Sequence, residues 1–406
     1  MQVFTNQTSN NWLSNDVEDK QADEEIRRVF SDCFRSNNLI VLTGLGTSLH
    51  VNLDVSKRPE RLALPDKRLA PTMWDLWQAA KNRSGTAFDG VLKLSNFPKE
   101  SLGENIEALL SYCKIAQEFL KDINEKKVIS DFITQAETVI RDAVDFLETG
   151  DDLHVHSELL RKLARRSARN IRPKIFTTNY DLCFEYAARK GRYTVIDGFS
   201  HNTPQVFDSL FYQYDVVRRD NNPESYDFIS NVFHLYKLHG SIDWTKNASS
   251  NEIERQPKTP KPILVYPRNT KYELAFEQPY LEMMAAFQAA IRQPNTGLLI
   301  VGFGFNDNHI AEPILSAIRS NLSLKVAICD PSIAPSDKDG VAKSGTASTN
   351  KFLSQIRYLI ENGDARLALV NSTFEEMVPA LPDIAAETDL EQHLERLRRL
   401  KEQLPS

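Results

Sequence analysis

The stretch Ile175-Phe176-Thr177-Thr178-Asn179-Tyr180-Asp181 begins as an apolar, β-branched run and stops at an Asn, with an Asp two residues later. This pattern is typical of a buried strand that presents polar side chains at the carboxyl end of an α/β sheet. Residues 43–48 and 238–241 repeat it, because each follows an apolar run with small or polar residues. We therefore predict that these three segments face one pocket.

Other apolar runs predict the sheet to which these strand ends belong. Residues 39–42 and 297–301 show no polar alternation, as expected of parallel strands covered on both faces. Residues 324–329 and 367–370 are further strand candidates, and helical patterns lie between the runs. Strands that alternate with helices predict an α/β fold with a Rossmann-like, doubly wound parallel sheet.

A long helical block interrupts this alternation. Few turn signals occur between residues 70 and 168, approximately, which predicts a large helical insertion between two strands. Residues 1–22 are polar and weakly periodic, so we predict an N-terminal arm. Residues 23–380 then form one Rossmann-like domain that contains the insertion. Residues 381–406 are predicted to form a charged C-terminal helix that docks on this domain or on a sister subunit.

The composition argues against several classes of protein. A net charge of −6 disfavours strong direct binding of nucleic acid. The four cysteines form no Cys-x-x-Cys pair, so we predict neither a zinc module nor another metal site. No apolar run reaches the ~20 residues that span a bilayer, and the N-terminus carries no basic-then-apolar signal. These features predict a cytoplasmic protein that does not bind membranes.

Small and polar residues at the strand ends form a set that suits a dinucleotide. Glycines let the backbone approach a pyrophosphate, hydroxyls add donors to a phosphate, and an acid at a strand end holds a ribose hydroxyl. The residues with these predicted roles are Gly44, Gly46, Gly302 and Gly304, the hydroxyl residues Thr47 and Ser48, and the acid Asp330. The Gly-x-Gly pair alone also fits a tight turn, since the later glycine of the dinucleotide fingerprint is missing.

Asn179 and His239 are the candidates for catalysis. The redox fingerprint is incomplete, so we favour cleavage of a glycosidic bond in the dinucleotide over hydride transfer. When nicotinamide leaves the cofactor it needs no general acid, but the reaction needs an oriented water and a stabilised ribose cation. The Asn179 amide can position the water or the ribose, and His239 can accept a proton near neutral pH. Each residue also has a structural alternative, which is an Asx-turn for Asn179 and a structural hydrogen bond for His239.

Together these segments resemble the sirtuin family over residues 40–375, approximately. Residues 43–48 resemble the sirtuin Gly-Ala-Gly-x-Ser loop, and residues 178–181 are similar to its Gln-Asn-x-Asp motif. His239-Gly240 matches the family's His-Gly, and residues 302–307 look like its later glycine segment. The resemblance implies a core that takes NAD as substrate and places Asn179 and His239 in the catalytic positions. It also adds Thr178, Asp181, Phe305 and Asp307 to the predicted cofactor-binding residues, although Asp307 could instead cap the next helix.

Two departures from the family narrow the predicted activity. The sirtuin zinc module is absent from the sequence, and a helical insertion separates the first glycine loop from the Asn motif. The pattern resembles the bacterial sirtuin-like NAD hydrolases of anti-phage defence. That resemblance implies NAD depletion in abortive infection, a homo-oligomer, and control by a partner such as a HerA-like hexameric ATPase. Two alternatives stay open: a non-catalytic NAD or ADP-ribose sensor, and a zinc-free deacylase or ADP-ribosyltransferase.

Overall fold

The computed structural model describes most of the chain, namely residues 1–8, 11–14, 20–51, 69–148, 151–166, 170–219, 226–264, 278–338 and 341–383. Its strands, in chain order, are β1 Gln2–Phe4, β2 Leu13–Ser14, β3 Asn38–Thr43, β4 Lys174–Thr177, β5 Thr194–Ile196, β6 Val217–Arg219, β7 Tyr226–Phe228, β8 Val232–Lys237, β9 Gly240–Ser241, β10 Trp244–Lys246, β11 Ile253–Arg255, β12 Ile263–Leu264, β13 Thr296–Val301, β14 Lys325–Cys329, β15 Ser336–Lys338, β16 Val341–Lys343 and β17 Leu367–Asn371.

Helices connect most of these strands. They are α1 Lys20–Phe34, α2 Met73–Ser84, α3 Phe88–Leu94, α4 Lys99–Leu102, α5 Ile106–Phe119, α6 Ile123–Val144, α7 His154–Ala164, α8 Cys183–Gly191, α9 Tyr280–Ile291, α10 Asn308–Ser320, α11 Thr346–Thr349, α12 Lys351–Glu361 and α13 Phe374–Ala380.

The central sheet has the strand order β2-β1-β17-β14-β13-β3-β4-β8-β5. From β17 to β5 all neighbouring strands pair in parallel, whereas β1 and β2 are added antiparallel at one edge. This confirms the α/β, Rossmann-like class. From β3 the chain continues to the neighbouring strand β4, and from β13 it continues to β14 in the opposite direction across the sheet. The strand order therefore reverses between β3 and β13. Their carboxyl ends therefore flank the switch point, where ligands bind in open α/β sheets.

The register of the central strands aligns their carboxyl ends. Thr43 at the end of β3 is paired with Val301 on one side and with Thr177 on the other, and Thr177 is paired in turn with Lys237. The segments that follow these four residues consequently emerge at one edge. This is why strand-end motifs that are up to 258 residues apart, from residue 44 to residue 302, can form one site.

Two apolar cores cover the faces of the sheet. All six residues of β3 and of β13 are buried, as expected of strands packed on both sides. On one face α1, α7, α8 and α13 pack against residues such as Val41 and Ile175. On the other face α9, α10 and α12 pack against neighbours such as Leu42 and Phe176. Alternate residues of each strand therefore anchor opposite helix layers.

The stretch between β3 and β4 contains a helical body with its own core. In α6, Ile129, Phe132, Ile133 and Ile140 recur at helical spacing, and their side chains pack with residues of α2, α3 and α5. Helix α7, which the sequence analysis included in the insertion, instead packs on the sheet with α8 and α13. Below, "the insertion" means α2 to α6, residues 73–144.

The N-terminal arm predicted for residues 1–22 is wrong for its first residues. Gln2–Phe4 form β1, which pairs antiparallel with β17, and Val3 and Phe4 are fully buried. The apolar Val-Phe pair is too short to give a periodic signal, and its burial depends on the sheet edge that the last strand provides. The predicted C-terminal helix lies outside the described residues beyond Asp383.

Within the described ranges, none of the helices is both long enough and apolar enough to cross a bilayer.

Candidate active site

A cavity of about 690 Å³ opens at the carboxyl edge of the sheet, between the strand ends and the insertion. This volume is within the usual range for small-molecule sites. The strand-end segments contribute Gly44, Leu45, Thr178, Asn179, Tyr180, Asp181, His239, Gly302, Phe303, Gly304, Asn306 and Asp307. The other wall contains Met73, Leu76, Ser101, Leu102, Glu104, Asn105, Glu107 and Val144, together with Ala70, Pro71 and Phe146, which lie just outside the insertion.

The glycines hold two loops against each other. A Cβ on Gly44 would lie 2.6 Å from the Gly302 carbonyl oxygen, and one on Gly46 would lie 2.5 Å from the Gly302 Cα. Gly302 itself has a φ of +64°, which favours glycine. The loops after β3 and β13 can therefore touch only because neither carries a side chain at the contact.

The backbone amides of the first loop donate hydrogen bonds inside the protein. Gly44 donates to the Val301 carbonyl at 3.2 Å and Gly46 donates to the Gly302 carbonyl at 3.0 Å. The amides of Thr47 and Ser48 donate to Gly44 and Leu45, at 3.0 and 2.9 Å. The sequence analysis expected this loop to approach a pyrophosphate. In the structure these four amides instead close the loop on itself and on the second glycine segment.

Asn179 is held by its side-chain nitrogen. Nδ2 is 3.1 Å from the Gly44 carbonyl oxygen, 2.9 Å from the Ser48 hydroxyl and 3.3 Å from the Thr47 hydroxyl. A carbonyl can only accept, so the nitrogen and not the oxygen of the amide must face Gly44. Oδ1 is then the Asn179 atom suited to accept a hydrogen bond from a ribose hydroxyl or a water. The Asx-turn alternative does not describe this side chain, because its contacts are with the first glycine loop.

Asp181 bonds to both the first glycine loop and the start of α8. One carboxylate oxygen accepts from the Ser48 hydroxyl at 2.7 Å, and the other accepts from the Cys183 amide at 3.0 Å. The first bond ties the Asn loop to the glycine loop, and the second gives a partner to the first backbone amide of α8. Ser48 thus connects Asn179 with Asp181.

The buried side chain of Lys237 supports the loop that carries Asn179 and Asp181. Lys237, the last residue of β8, donates to the Asp181 carbonyl, to Ser241 Oγ at 3.0 Å and to Glu185 at 2.9 Å. Its side chain is only 3% exposed, so these partners replace water around the charge. Lys237 was not predicted as a site residue, although a lysine at the end of a mostly apolar strand was a signal for it.

His239 faces a second histidine. Its Nε2 is 3.1 Å from Nε2 of His309 in the first turn of α10. Burial lowers the pKa of His239 to about 4, and burial together with His239 lowers the pKa of His309 to about 4. Both rings are therefore neutral at pH 7, and the N–H group of one ring donates a hydrogen bond to the other. This makes His239 a weak base near neutral pH, in contrast to the role expected from its ordinary pKa.

The insertion side of the cavity carries a carboxylate that the sequence analysis missed. The Tyr180 hydroxyl donates to Oε1 of Glu107 in α5 at 2.9 Å. Burial, with a smaller contribution from Asp307, raises the pKa of Glu107 to about 7. Asp307 is the N-cap residue of α10 but makes no side-chain capping bond, and burial raises its pKa also. Its carboxylate lines the cavity, so the helix-cap alternative does not account for it.

Among the described residues, the charged side chains that line the cavity are all acidic. Glu104, Glu107, Asp181 and Asp307 line it, and none of the described lining residues is Lys or Arg. Such a wall favours a ligand group with positive charge and offers no cationic side chain to a phosphate.

The structure brings eight of the predicted site residues to the cavity and leaves five behind it. Those that line it are Gly44, Thr178, Asn179, Asp181, His239, Gly302, Gly304 and Asp307. Gly46, Thr47 and Ser48 lie beneath, where they support Gly44 and Asn179. Phe305 is 1% exposed in the core, and Asp330 accepts from the Ser332 amide and hydroxyl at 2.8 and 2.5 Å, so neither residue lines the cavity.

Two missed residues differ in how they could have been found. His309 lies two residues after Asp307, so its nearness in the sequence to a predicted site residue was a signal for it. Glu107 lies in an ordinary amphipathic helix, and only the packing of the insertion shows that it faces the site.

In the part of the chain that the structure describes, no group of three or more His, Cys, Asp or Glu side chains could hold a metal ion. The four cysteines are all buried and free.

A protein-family comparison agrees with this geometry. The family model described as the SIR2-like domain matches residues 173–340, which include Asn179, His239, Gly302 and Asp307 but neither the first glycine loop nor the insertion. SIR2-like domains use NAD as a substrate, so the match supports a sirtuin-like core with NAD-related activity in this part of the chain. No curated protein matches the chain.

Proposed function

We propose that this chain is an NAD⁺ hydrolase that cleaves NAD⁺ to nicotinamide and ADP-ribose. The carrying observation is that Asn179 and His239, both inside the SIR2-like match, line one cavity whose charged side chains are all acidic among the described residues. In NAD⁺ the group next to the bond that breaks is a cationic nicotinamide. An acidic wall suits this end of the substrate.

The same charge argument applies to the reaction. When the bond between ribose C1′ and the nicotinamide nitrogen breaks, its electron pair leaves with nicotinamide, and the ribose becomes a cation-like centre. Neutral His239, whose ring is held by the neutral His309, can hydrogen-bond the substrate without adding positive charge beside this centre. Asn179 Oδ1 can accept from a ribose hydroxyl or from the attacking water, because Nδ2 is already used by Gly44 and Ser48. Both residues act chiefly by orienting the reactants.

The test is direct detection of the products. Purified protein is incubated with NAD⁺, and nicotinamide and ADP-ribose are quantified by chromatography. We expect equal amounts of both products from the wild type, and a loss of at least ~100-fold in Asn179→Ala and His239→Ala, as for misplaced reactants. His201→Ala, at an exposed loop position, is the matched control. Undiminished NAD⁺ in every mixture, including those with added partners, or full activity in both site variants would overturn the proposal.

We further propose that this activity depletes NAD⁺ in the cytoplasm during abortive infection by phage. The support is the resemblance described above, which also suggests a homo-oligomer and a HerA-like hexameric ATPase as activating partner. Co-expression with the product of the neighbouring gene, followed by size measurement and the same NAD⁺ assay, tests both. We expect a larger assembly with higher turnover than the isolated chain. A chain that stays monomeric, or whose turnover the partner leaves unchanged, would contradict this part.

A further inference from the structure

Glu107 lies where the insertion meets the cavity. It is in the first turn of α5, which begins at Ile106 after the N-cap Asn105, whose side chain accepts from the Ala108 amide at 2.9 Å. The N-terminal end of a helix stabilises a negative charge, so this position favours the carboxylate form. The capped turn also fixes the direction in which Glu107 enters the cavity.

A hydrogen bond joins Glu107 to the loop that carries Asn179. Tyr180, which donates to Glu107 at 2.9 Å, stands between Asn179 and Asp181 in the chain, and its ring packs in the core of the insertion. Tyr180 also lies beside His239, with ring centroids 6.4 Å apart. The carboxylate is thus positioned relative to both candidate catalytic residues and not only within its own helix.

The groups that face Glu107 come from three elements. Asp307 faces it from the start of α10 and disfavours its charge, whereas Tyr180 favours it. Glu104 lies three residues earlier in the chain, but its charge is paired with Lys99 at 3.3 Å and bonded to Gln78 at 3.1 Å. His239, which lines the same cavity, is neutral at pH 7. Glu107 is therefore a carboxylate next to an acidic neighbour in a partly water-excluded wall, an arrangement that favours acceptance of a proton.

Hydrolysis of NAD⁺ requires such an acceptor. As the water oxygen bonds to ribose C1′, one water proton must leave, and a base with a pKa near the working pH takes it best. Burial makes His239 a poor candidate at neutral pH, whereas the pKa of Glu107, about 7, is suited to this task.

We propose that Glu107 is a catalytic residue whose carboxylate accepts the proton of the water that attacks ribose C1′. In this step the bond between C1′ and the nicotinamide nitrogen breaks with its electron pair on nicotinamide, the bond between C1′ and the water oxygen forms, and the proton passes from Glu107 to solvent afterwards. The inference rests on the proposed NAD⁺ hydrolysis. It assigns to the insertion a chemical role in addition to its structural one.

The experiment compares Glu107→Gln with the wild type in the NAD⁺ assay from pH 5 to 9. We expect the variant's kcat to fall by ~10²–10⁴-fold while its KM for NAD⁺ changes little, because general-base catalysis contributes that range. The wild-type rate should rise with pH and level off above pH ~7, and the variant should lose this rise. Glu137→Gln is the matched control, since Glu137 is a carboxylate of the same insertion paired with Lys114 at 2.8 Å outside the cavity.

Chemical rescue separates a proton acceptor from a structural residue. Formate added to Glu107→Ala should restore part of the rate, whereas it should leave the wild type and Glu137→Gln unchanged. Thermal unfolding of each variant verifies that it is folded, and Glu107→Asp provides a second variant that keeps the carboxylate. A Glu107→Gln protein that hydrolyses NAD⁺ within about twofold of the wild type, or that keeps the rise with pH, overturns this inference and leaves the proposed function intact. If the wild type itself forms no products in any mixture, the proposed function fails first.

Discussion

The strand-end wall and the insertion wall of the cavity hold their polar groups in different ways. On the strand-end wall, the close approach of Gly44 and Gly46 to Gly302 and the hydrogen bonds through Ser48 hold Asn179 and Asp181 in one network. On the insertion wall, Glu107 accepts a hydrogen bond from the Tyr180 hydroxyl, and burial raises its pKa to about 7. The strand-end wall holds its polar groups in place, whereas the insertion wall carries a group that can change its protonation state. This division suggests that orientation and proton transfer are supplied by different parts of the chain.

The contact between Gly302 and the first glycine loop leaves no room for a side chain, so a substitution at this contact should have the largest effect. Gly302→Ala adds a Cβ 2.6 Å from the Gly46 Cα at a φ of +64°, and we expect it to lower the free energy of unfolding by about 3 kcal/mol or more, from backbone strain and overpacking together. Gly363→Ala is the control, because its φ is +94° but nothing lies within 4 Å of the new Cβ, which leaves a cost of only about 1–2 kcal/mol. Urea unfolding measures both, and equal losses would contradict the role given to the contact.

The hydrogen bonds of the Ser48 hydroxyl are the next feature of the strand-end wall to test. Ser48→Ala removes the hydroxyl that joins Asn179 to Asp181, and we expect NAD⁺ hydrolysis to fall ~10–30-fold, which corresponds to about 1–2 kcal/mol for lost bonds to buried polar groups. Ser320→Ala, which removes an exposed hydroxyl bonded within its own helix, should keep the wild-type rate. If the two serine variants have the same rate in the product assay, the network does not position Asn179.

Tyr180 connects the two walls, and its hydroxyl should have a smaller effect. In Tyr180→Phe the Glu107 carboxylate loses a donor that lowers its pKa, so the pKa rises and less of the base is deprotonated at pH 7. We expect the hydrolysis rate at pH 7 to drop by ~3–10-fold and to recover toward the wild-type rate at pH 9. Tyr112→Phe, in the helix α5 that carries Glu107, controls for the loss of a hydroxyl. A Tyr180→Phe rate that is reduced equally at every pH would argue against a titrating Glu107.

The smallest expected effect is on stability. Because the pKa of Glu107 is raised from 4.5 to about 7 in the folded chain, the folded state holds a proton that the unfolded state has released between these pH values. The contribution of Glu107 to stability is therefore full below pH 4.5 and is lost as the pH rises to about 7. Glu107→Gln should match the wild type at pH 4.5 and be more stable by about 1 kcal/mol at pH 8, after allowance for partial exposure. Urea unfolding at both pH values measures this, and a variant that is less stable at pH 8 would contradict the cost of the charge.

The strand-end wall could be predicted because its information is local. Apolar runs identify β3, β4, β8 and β13, and in a parallel sheet their carboxyl ends lie at one edge. The sequence therefore predicts that Asn179, His239 and Gly302 lie together. What the local pattern could not give was the detail of each contact. It predicted a glycine loop that approaches a pyrophosphate, whereas the amides of this loop donate within the protein. It also predicted a ribose-binding Asp330, which the structure ties to Ser332.

The amino-acid sequence by itself determined the sheet, its polar edge and the presence of a helical insertion, because periodicity and turn chemistry act between near neighbours. Only the tertiary structure decided which helix residue enters the cavity, which histidine pairs with His239, and that the first residues complete the sheet. Those outcomes depend on burial and on contacts between distant segments, which set the pKa of Glu107 and of both histidines and which no local pattern encodes.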